Sequence, residues 1–106
     1  MSKLKQQNDE GTLDDWFVYI LRCADQTLYT GIAKNVEKRL IEHNTDNTKG
    51  AKYTRVRRPV ELVYTENCDS RSSASKRECA IKKLNRDKKL LLIASSNNMF
   101  KQNDKN

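Results

Sequence analysis

Trp16-Phe17-Val18-Tyr19-Ile20-Leu21-Arg22-Cys23, then Ala24-Asp25-Gln26, then Thr27-Leu28-Tyr29-Thr30-Gly31-Ile32 is the stretch whose reading decides the fold. The first segment is short and rich in aromatic and β-branched residues, which favours a strand, and residues 27–32 repeat the pattern. The loop between them decides which side chains share a face, because opposed residues on antiparallel strands point the same way. A two-residue loop would pair Tyr29 with Arg22 and Tyr19 with Ile32, leaving the two tyrosines on opposite faces. A three-residue loop pairs Cys23 with Thr27, Leu21 with Tyr29 and Tyr19 with Gly31. It also collects Val18, Ile20, Leu28, Thr30 and Ile32 on the other face, which is the better apolar set. The sequence therefore predicts a hairpin with the loop Ala24-Asp25-Gln26, although such loops usually place Gly where φ is positive.

Working outward, Asn35 is an N-cap for a helix from Val36 to Asn44 or Thr45, with Arg39 and His43 four residues apart on one side and Val36 and Leu40 facing inward. Residues 46–53 read as loop with a turn at Lys49-Gly50, and 54–59 as a basic extended segment, since Pro59 keeps Arg58 out of helical geometry. Val60, Leu62 and Tyr64 alternate with Glu61, Val63 and Thr65, which predicts a third strand. Asp69 or Ser70 caps a helix reaching Leu84, with Ala74, Ile81 and Leu84 as its apolar stripe and Glu78, Lys82 and Asn85 beside it. A last helix spans residues 86–94. The expected fold is a small α/β (α+β) sandwich of order β-β-α-β-α-α, with an at least partly antiparallel three-stranded sheet and about three helices covering its apolar face. One domain at residues 15–94 is expected between two polar tails, 1–14 and 95–106, both expected to be disordered.

The chain has 106 residues, 36% of them hydrophobic and 33% charged, so the core must be thin. Residues 16–94 carry 17 basic and 9 acidic side chains, a net of +8 against +7 for the whole chain, so the positive charge resides in the folded body, where it can serve as a footprint for a polyanion. A solvated basic surface is the bland alternative. No long apolar run suggests a membrane span, and no apolar leader opens the chain, so a cytoplasmic protein is expected. Cys23, Cys68 and Cys79 are odd in number and lack paired spacing, which points to structural thiols rather than zinc or disulfides.

Two tyrosines on a hairpin, followed by an arginine and a histidine on the next helix, suggest phosphate-ester chemistry. A phosphodiester repels its nucleophile and gains charge on its oxygens as it reacts, so a fixed guanidinium suits it. His43 can exchange protons near neutral pH, whereas a tyrosine would need its pKa lowered, and Arg39 and the basic surface are expected to act in that direction. Gly31 would allow close backbone approach opposite Tyr19. Each residue also has a duller account: sheet tyrosines, a surface arginine, a histidine at a helix C-terminus, and Glu78 paired with Lys82 at i, i+4. Lys52, Tyr53, Arg55, Arg57 and Arg58 interleave aromatic and basic character, as nucleic-acid contacts do.

In this order the residues resemble the GIY-YIG endonuclease superfamily over about Phe17 to Ile93. Phe17-Val18-Tyr19 stands at the first motif, keeping its tyrosine but not its Gly-Ile, and Tyr29-Thr30-Gly31 stands at the second. Arg39, His43 and Glu78 follow at fitting positions. Gly50-Ala51-Lys52-Tyr53-Thr54-Arg55 and Ile81-Lys82-Lys83-Leu84 are most similar to the small single-domain bacterial members and to the nuclease domain of junction-cleaving relatives. The resemblance implies a phosphodiester hydrolase that uses a single divalent ion, Mg²⁺ or Mn²⁺. Glu78 would hold the ion, Tyr19 and Tyr29 would flank the scissile phosphate and attacking water, and Arg39 would neutralise developing charge. His43 stands where relatives have histidine or tyrosine. Some relatives have a lysine where Ile32 stands here, and Lys82 or Lys83 would serve as phosphate contacts instead. The expected activity is endonucleolytic cleavage of DNA rather than RNA, at branched or nicked structures, with sequence-specific cutting only if a protein partner supplies it. A binding module that has lost cleavage, or a protein-interaction adaptor, are the competing functions.

Overall fold

The structure, a computed structural model, describes residues 15–105, with side-chain surroundings described through Ser96. The predicted tail at 1–14 lies outside the described residues. Strands β1 (Trp16–Arg22) and β2 (Leu28–Ala33) are followed by helices α1 (Val36–Thr45) and α2 (Lys52–Arg55), strand β3 (Glu61–Cys68), and helices α3 (Arg71–Lys82) and α4 (Arg86–Lys105). The sheet is antiparallel throughout, in the order β2-β1-β3, so the first strand is central and both neighbours are edges. The helix α4 continues past Ala94, through the stretch that the composition sets apart as a second tail.

The hairpin has the predicted three-residue loop. Tyr19 opposes Gly31 and Leu21 opposes Tyr29, and the Cys23 amide donates to the Thr27 carbonyl at 2.9 Å. Gln26 takes the left-handed conformation, φ 73°, at the position where glycine is usual. That conformation costs a non-glycine residue roughly 1–2 kcal/mol. Two bonds to Asp25 Oδ1, from the Thr27 amide at 3.1 Å and its hydroxyl at 2.6 Å, help to hold the turn.

Both faces of the sheet are covered, where one is expected. Val18 and Ile20 pack against Ala74 and Ile81 of α3 and Leu92 and Ile93 of α4, whereas Tyr19, Leu21 and Cys23 form a second cluster with Val36 and Leu40 of α1. The cause lies in β1 itself, whose near-continuous apolar run Val18–Leu21 is buried on both sides. Strand β3 also departs from strict alternation. Ile20 opposes Tyr64 but Leu21 opposes Leu62, so Val63 is the extra residue of a bulge. Leu62 therefore joins the α1 cluster while Val63 and Tyr64 join the α3 cluster.

The first two long helices start at the predicted caps: Asn35 accepts from the Lys38 amide at 3.0 Å and Ser70 from the Ser73 amide at 3.1 Å. Asn85, which the sequence places on the stripe beside Glu78, instead caps α4 by accepting from the Lys88 amide at 2.9 Å. Helix α3 stops at Lys82, so Leu84 falls in the link to α4. Residues 52–55, divided by the sequence between loop and extended segment, instead form the single helical turn α2. Among the described residues no helix is long and apolar enough to cross a membrane. Cys23 and Cys68 are buried and free, and Cys79 is free and exposed.

Truncating Ile81, which is 0% exposed against the Val18 and Ile20 face, is expected to cost about 2–5 kcal/mol in chemical denaturation. Leu91→Ala, at a 69% exposed position one turn into the last helix, should stay within about 0.5 kcal/mol.

Candidate active site

The Tyr19 ring lies across the one residue of β2 that leaves room for it. A Cβ on Gly31 would sit 2.5 Å from Tyr19 Oη and 2.6 Å from its Cζ, closer than atoms can pack. The ring is 2% exposed, so it has little space in which to retreat. Its hydroxyl is 2.8 Å from His43 Nε2, and His43, 0% exposed in the last turn of α1, is 2.8 Å from Thr54 Oγ1 through Nδ1. Thr54 Oγ1 in turn donates to the Ala51 carbonyl at 3.0 Å. A threonine hydroxyl has one proton, so with that proton on Ala51 the Nδ1–H must donate to Thr54, and Nε2 accepts from the Tyr19 hydroxyl. This tautomer is assigned from the partners. It leaves the Ala51 amide, 3.4 Å from Nδ1, as no more than a weak contact.

Burial sets the protonation of both groups. It lowers the His43 pKa from 6.5 to about 4, with Arg39 adding to the effect, so the imidazole is neutral at pH 7 and able to accept a proton. Burial, followed by the neighbouring Tyr29, pushes the Tyr19 phenol up to about 12. Arg39 beside the phenol pulls down, as the sequence leads one to expect, but desolvation outweighs it.

The remaining candidates divide. The Tyr29 ring meets His43 edge-on at 5.3 Å, so both tyrosines converge on one imidazole. Arg39 is fixed by Glu42 at 3.1 Å and by the Lys49 carbonyl at 2.6 Å. Glu78, on α3, is near enough for its charge to raise the Tyr19 pKa, and its carboxylate also pairs with Lys82 at 3.2 Å. Lys52 and Lys83 are exposed. Three of the side chains expected at a nucleic-acid surface are engaged by bonds within the protein. Arg58 donates to the carbonyls of His43 at 2.7 Å and Asp46 at 3.1 Å and to Asn47, bracing the end of α1. Arg57 lies over the Tyr53 ring at 3.8 Å and pairs with Asp25 at 3.1 Å, and Tyr53 stacks on Tyr29 with centroids 5.9 Å apart. Arg55 donates to the Asn47 carbonyl.

Sequence reasoning missed the roles of Thr54, Asn44 and Asp25, and read Gly50 only as a turn. Asn44 exchanges two bonds with the Val60 backbone, at 2.8 and 3.0 Å, tying the His43 turn to the start of β3. A Cβ on Gly50 would lie 2.7 Å from the Asp46 carbonyl oxygen and 2.8 Å from that of Glu42, so the chain turns against the end of α1 only with glycine there. No local signal marks Thr54 or Asn44, because their partners His43 and Val60 are distant in the chain. Two cavities, of about 320 and 510 Å³, lie elsewhere: one against β3 and α4, the other beside Phe17 and the start of α1. The candidate site is thus a buried Tyr19–His43–Thr54 chain with the half-buried Tyr29, Arg39 and Glu78 around it.

Comparison with known proteins fits this geometry. The family model for the GIY-YIG catalytic domain matches residues 15–90. The UPF0213 protein DP2720 of Desulfotalea psychrophila is 54% identical over 94 residues, covering 89% of this chain and 84% of that protein. The UPF0213 protein SSP2268 of Staphylococcus saprophyticus is 55% identical over 82 residues, covering 77% of this chain and 98% of its own length. The solution NMR structure of the protein EF2693 from E. faecalis superposes with a TM-score of 0.55 at 41% identity, covering 78% of this chain and 86% of that one.

Because the folded His43 pKa, about 4, lies below its ordinary 6.5, the unfolded chain takes up the proton first as pH falls. The contribution of His43 to stability is complete above pH 6.5 and disappears on the way down to about 4, a loss of up to about 3 kcal/mol. Urea denaturation across that window should show it, and His43→Gln should lose that pH dependence, so that the difference in stability between wild type and variant changes across the same window. Gly31→Ala is expected to cost about 1–3 kcal/mol in the same assay, since the Tyr19 ring must leave its seat.

Proposed function

The chain belongs to the GIY-YIG family, a family of nucleases, and on that premise we propose that it is an endonuclease that hydrolyses DNA phosphodiester bonds with one divalent cation, Mg²⁺ or Mn²⁺. The observation that carries this reading is the 2.8 Å contact between the Tyr19 hydroxyl and a buried, neutral His43, with Arg39 and Glu78 acting on the same phenol.

The protonation states decide how the pair works. Burial raises the Tyr19 phenol and lowers the His43 imidazole, so both shifts oppose moving the proton from phenol to imidazole in the resting protein. A standing phenolate is therefore negligible. Tyr19 instead passes its proton to His43 Nε2 while its oxygen takes one from the attacking water, so that His43 is the terminal acceptor and no free phenolate forms. The Nδ1–H to Thr54 bond holds the imidazole in the tautomer that this relay needs. Tyr29, edge-on to the same His43, lines the approach of the phosphate. Arg39 carries a fixed positive charge beside Tyr19 and stabilises the charge that develops on the phosphate oxygens.

A lone, half-buried carboxylate is a fitting donor for a hard cation that keeps most of its sphere for water and phosphate, and Glu78 is the residue that would hold it. When bound, such an ion would polarise a phosphate oxygen and lower the pKa of its water. Lys82 balances Glu78 in the free protein and is released to contact phosphate, with Lys52 and Lys83 serving the flanking backbone. Contacts of this kind read backbone shape, which favours nicked or branched DNA over a base sequence. The Glu78–Lys82 pair also favours one second reading, a binding module in which the carboxylate is permanently neutralised.

Cleavage of a panel of nicked, flap, junction and single-stranded DNA with Mg²⁺ or Mn²⁺ tests the proposal. Tyr19→Phe, Tyr29→Phe and Glu78→Gln should each lower kcat by about 10²–10³-fold or more, and chelator should abolish product. Cleavage that survives chelator, or that survives the substitutions, contradicts the assignment. Salt-sensitive binding without product would establish the binding module instead.

A further inference from the structure

We infer that Asp25, Arg57 and Tyr53 form a positioning stack that seats the Tyr29 ring against His43, and that Tyr53 and Arg57 serve the reaction through Tyr29 rather than by touching the nucleic acid. This rests on the nuclease reading of the site. Interleaved aromatic and basic residues at 52–58 suggest a surface on which a base would stack, but the geometry there is already filled. The Arg57 guanidinium lies 3.8 Å over the Tyr53 ring, and that ring is stacked on Tyr29 at an interplanar angle of 25°.

The guanidinium is itself anchored. Its Nε donates to Asp25 Oδ2 at 3.1 Å and its Nη1 to the Tyr53 carbonyl at 2.9 Å. The other oxygen of Asp25 holds Thr27, two residues before Tyr29, and the Ala24 amide donates to the Arg57 carbonyl at 2.9 Å. Residues 53–57 are thus tied to the hairpin loop by backbone and side chain together. Tyr29 needs such support. It lies on an edge strand, it is only half-buried, and its contact on the inner side is the edge of His43. A reacting group displaced by about 1 Å can lose a hundredfold in rate.

The two readings of Arg57 give opposite signs. If Arg57 contacted phosphate, Asp25→Asn would free a cation and remove a negative charge beside it, so binding would tighten and activity would hold or rise. If the stack positions Tyr29, Asp25→Asn lowers activity. In full-length protein, Tyr53→Leu and Asp25→Asn are expected to reduce kcat at least tenfold. KM and the slope of log KM against log salt should stay unchanged, and Tyr53→Phe should recover near wild-type kcat. Arg57→Gln should likewise spare the salt slope, whereas loss of a phosphate contact would lower it by about one. The same variants with ¹³C-labelled tyrosine give a readout independent of cleavage: the Tyr29 ring signals should shift in Tyr53→Leu and Asp25→Asn and stay in place in Tyr53→Phe. Unmoved Tyr29 signals, or a salt slope that falls while kcat holds, overturn the inference. A wild-type protein that does not cut DNA defeats the nuclease reading, and the tyrosine spectra then judge the stack by themselves.

Discussion

The buried hydrogen bond between the Tyr19 hydroxyl and His43 Nε2 is the constraint that the rest of the structure must satisfy. Both side chains are almost wholly withdrawn from water, and leaving either polar group unpaired would cost about 1–3 kcal/mol. Four independent features have to agree before the bond can form. The hairpin must pair Tyr19 with Gly31, position 31 must lack a side chain, α1 must run as far as its last turn at His43, and α2 must bring Thr54 under the imidazole. Asn44 and Arg58 then fasten that last turn to the segment entering β3. Much of the polar network in residues 43–60 therefore serves to hold one imidazole in one orientation.

This constraint has a chemical consequence. A solvent-exposed histidine would be partly charged near neutral pH and would donate from both nitrogens, whereas the buried ring keeps an open lone pair toward the phenol. The protein gives up the easier ionisation of an exposed tyrosine and gains a neutral pair whose single proton is directed along a defined line. Charge comes from Arg39 and Glu78, both half-buried and both near enough to act on the Tyr19 phenol.

What was legible in the sequence was what depends on neighbours in the chain. The parity of apolar residues in 16–32 is enough to choose the three-residue loop, and with it the opposition of Tyr19 to Gly31, even though Gln26 is an unusual residue for the left-handed position. The caps at Asn35 and Ser70 are local bonds and are read correctly. Features set by distant partners were not legible. Residues 52–55 carry no helical period and are coiled because Thr54 bonds to His43 and Arg57 closes on the Tyr53 carbonyl. Arg57 and Arg58 look like free cations in the sequence, yet each is engaged by carbonyl or carboxylate groups some distance away in the chain. The bulge at Val63 moves Tyr64 to the opposite face from the one that strict alternation gives it. The direction of the tyrosine shift was missed for a related reason, since burial is a property of the packed structure and here it outweighs the nearby arginine.

The most direct test of this account is the ¹⁵N NMR titration of His43, the only histidine in the chain, in the free protein. A neutral ring protonated at Nδ1, with Nε2 as acceptor, is expected to persist well below the ordinary histidine range, with the midpoint near pH 4. A midpoint at about 6.5, or a ring protonated at Nε2, would mean that the imidazole is not the buried acceptor of the Tyr19 proton, and the proposed relay would fail.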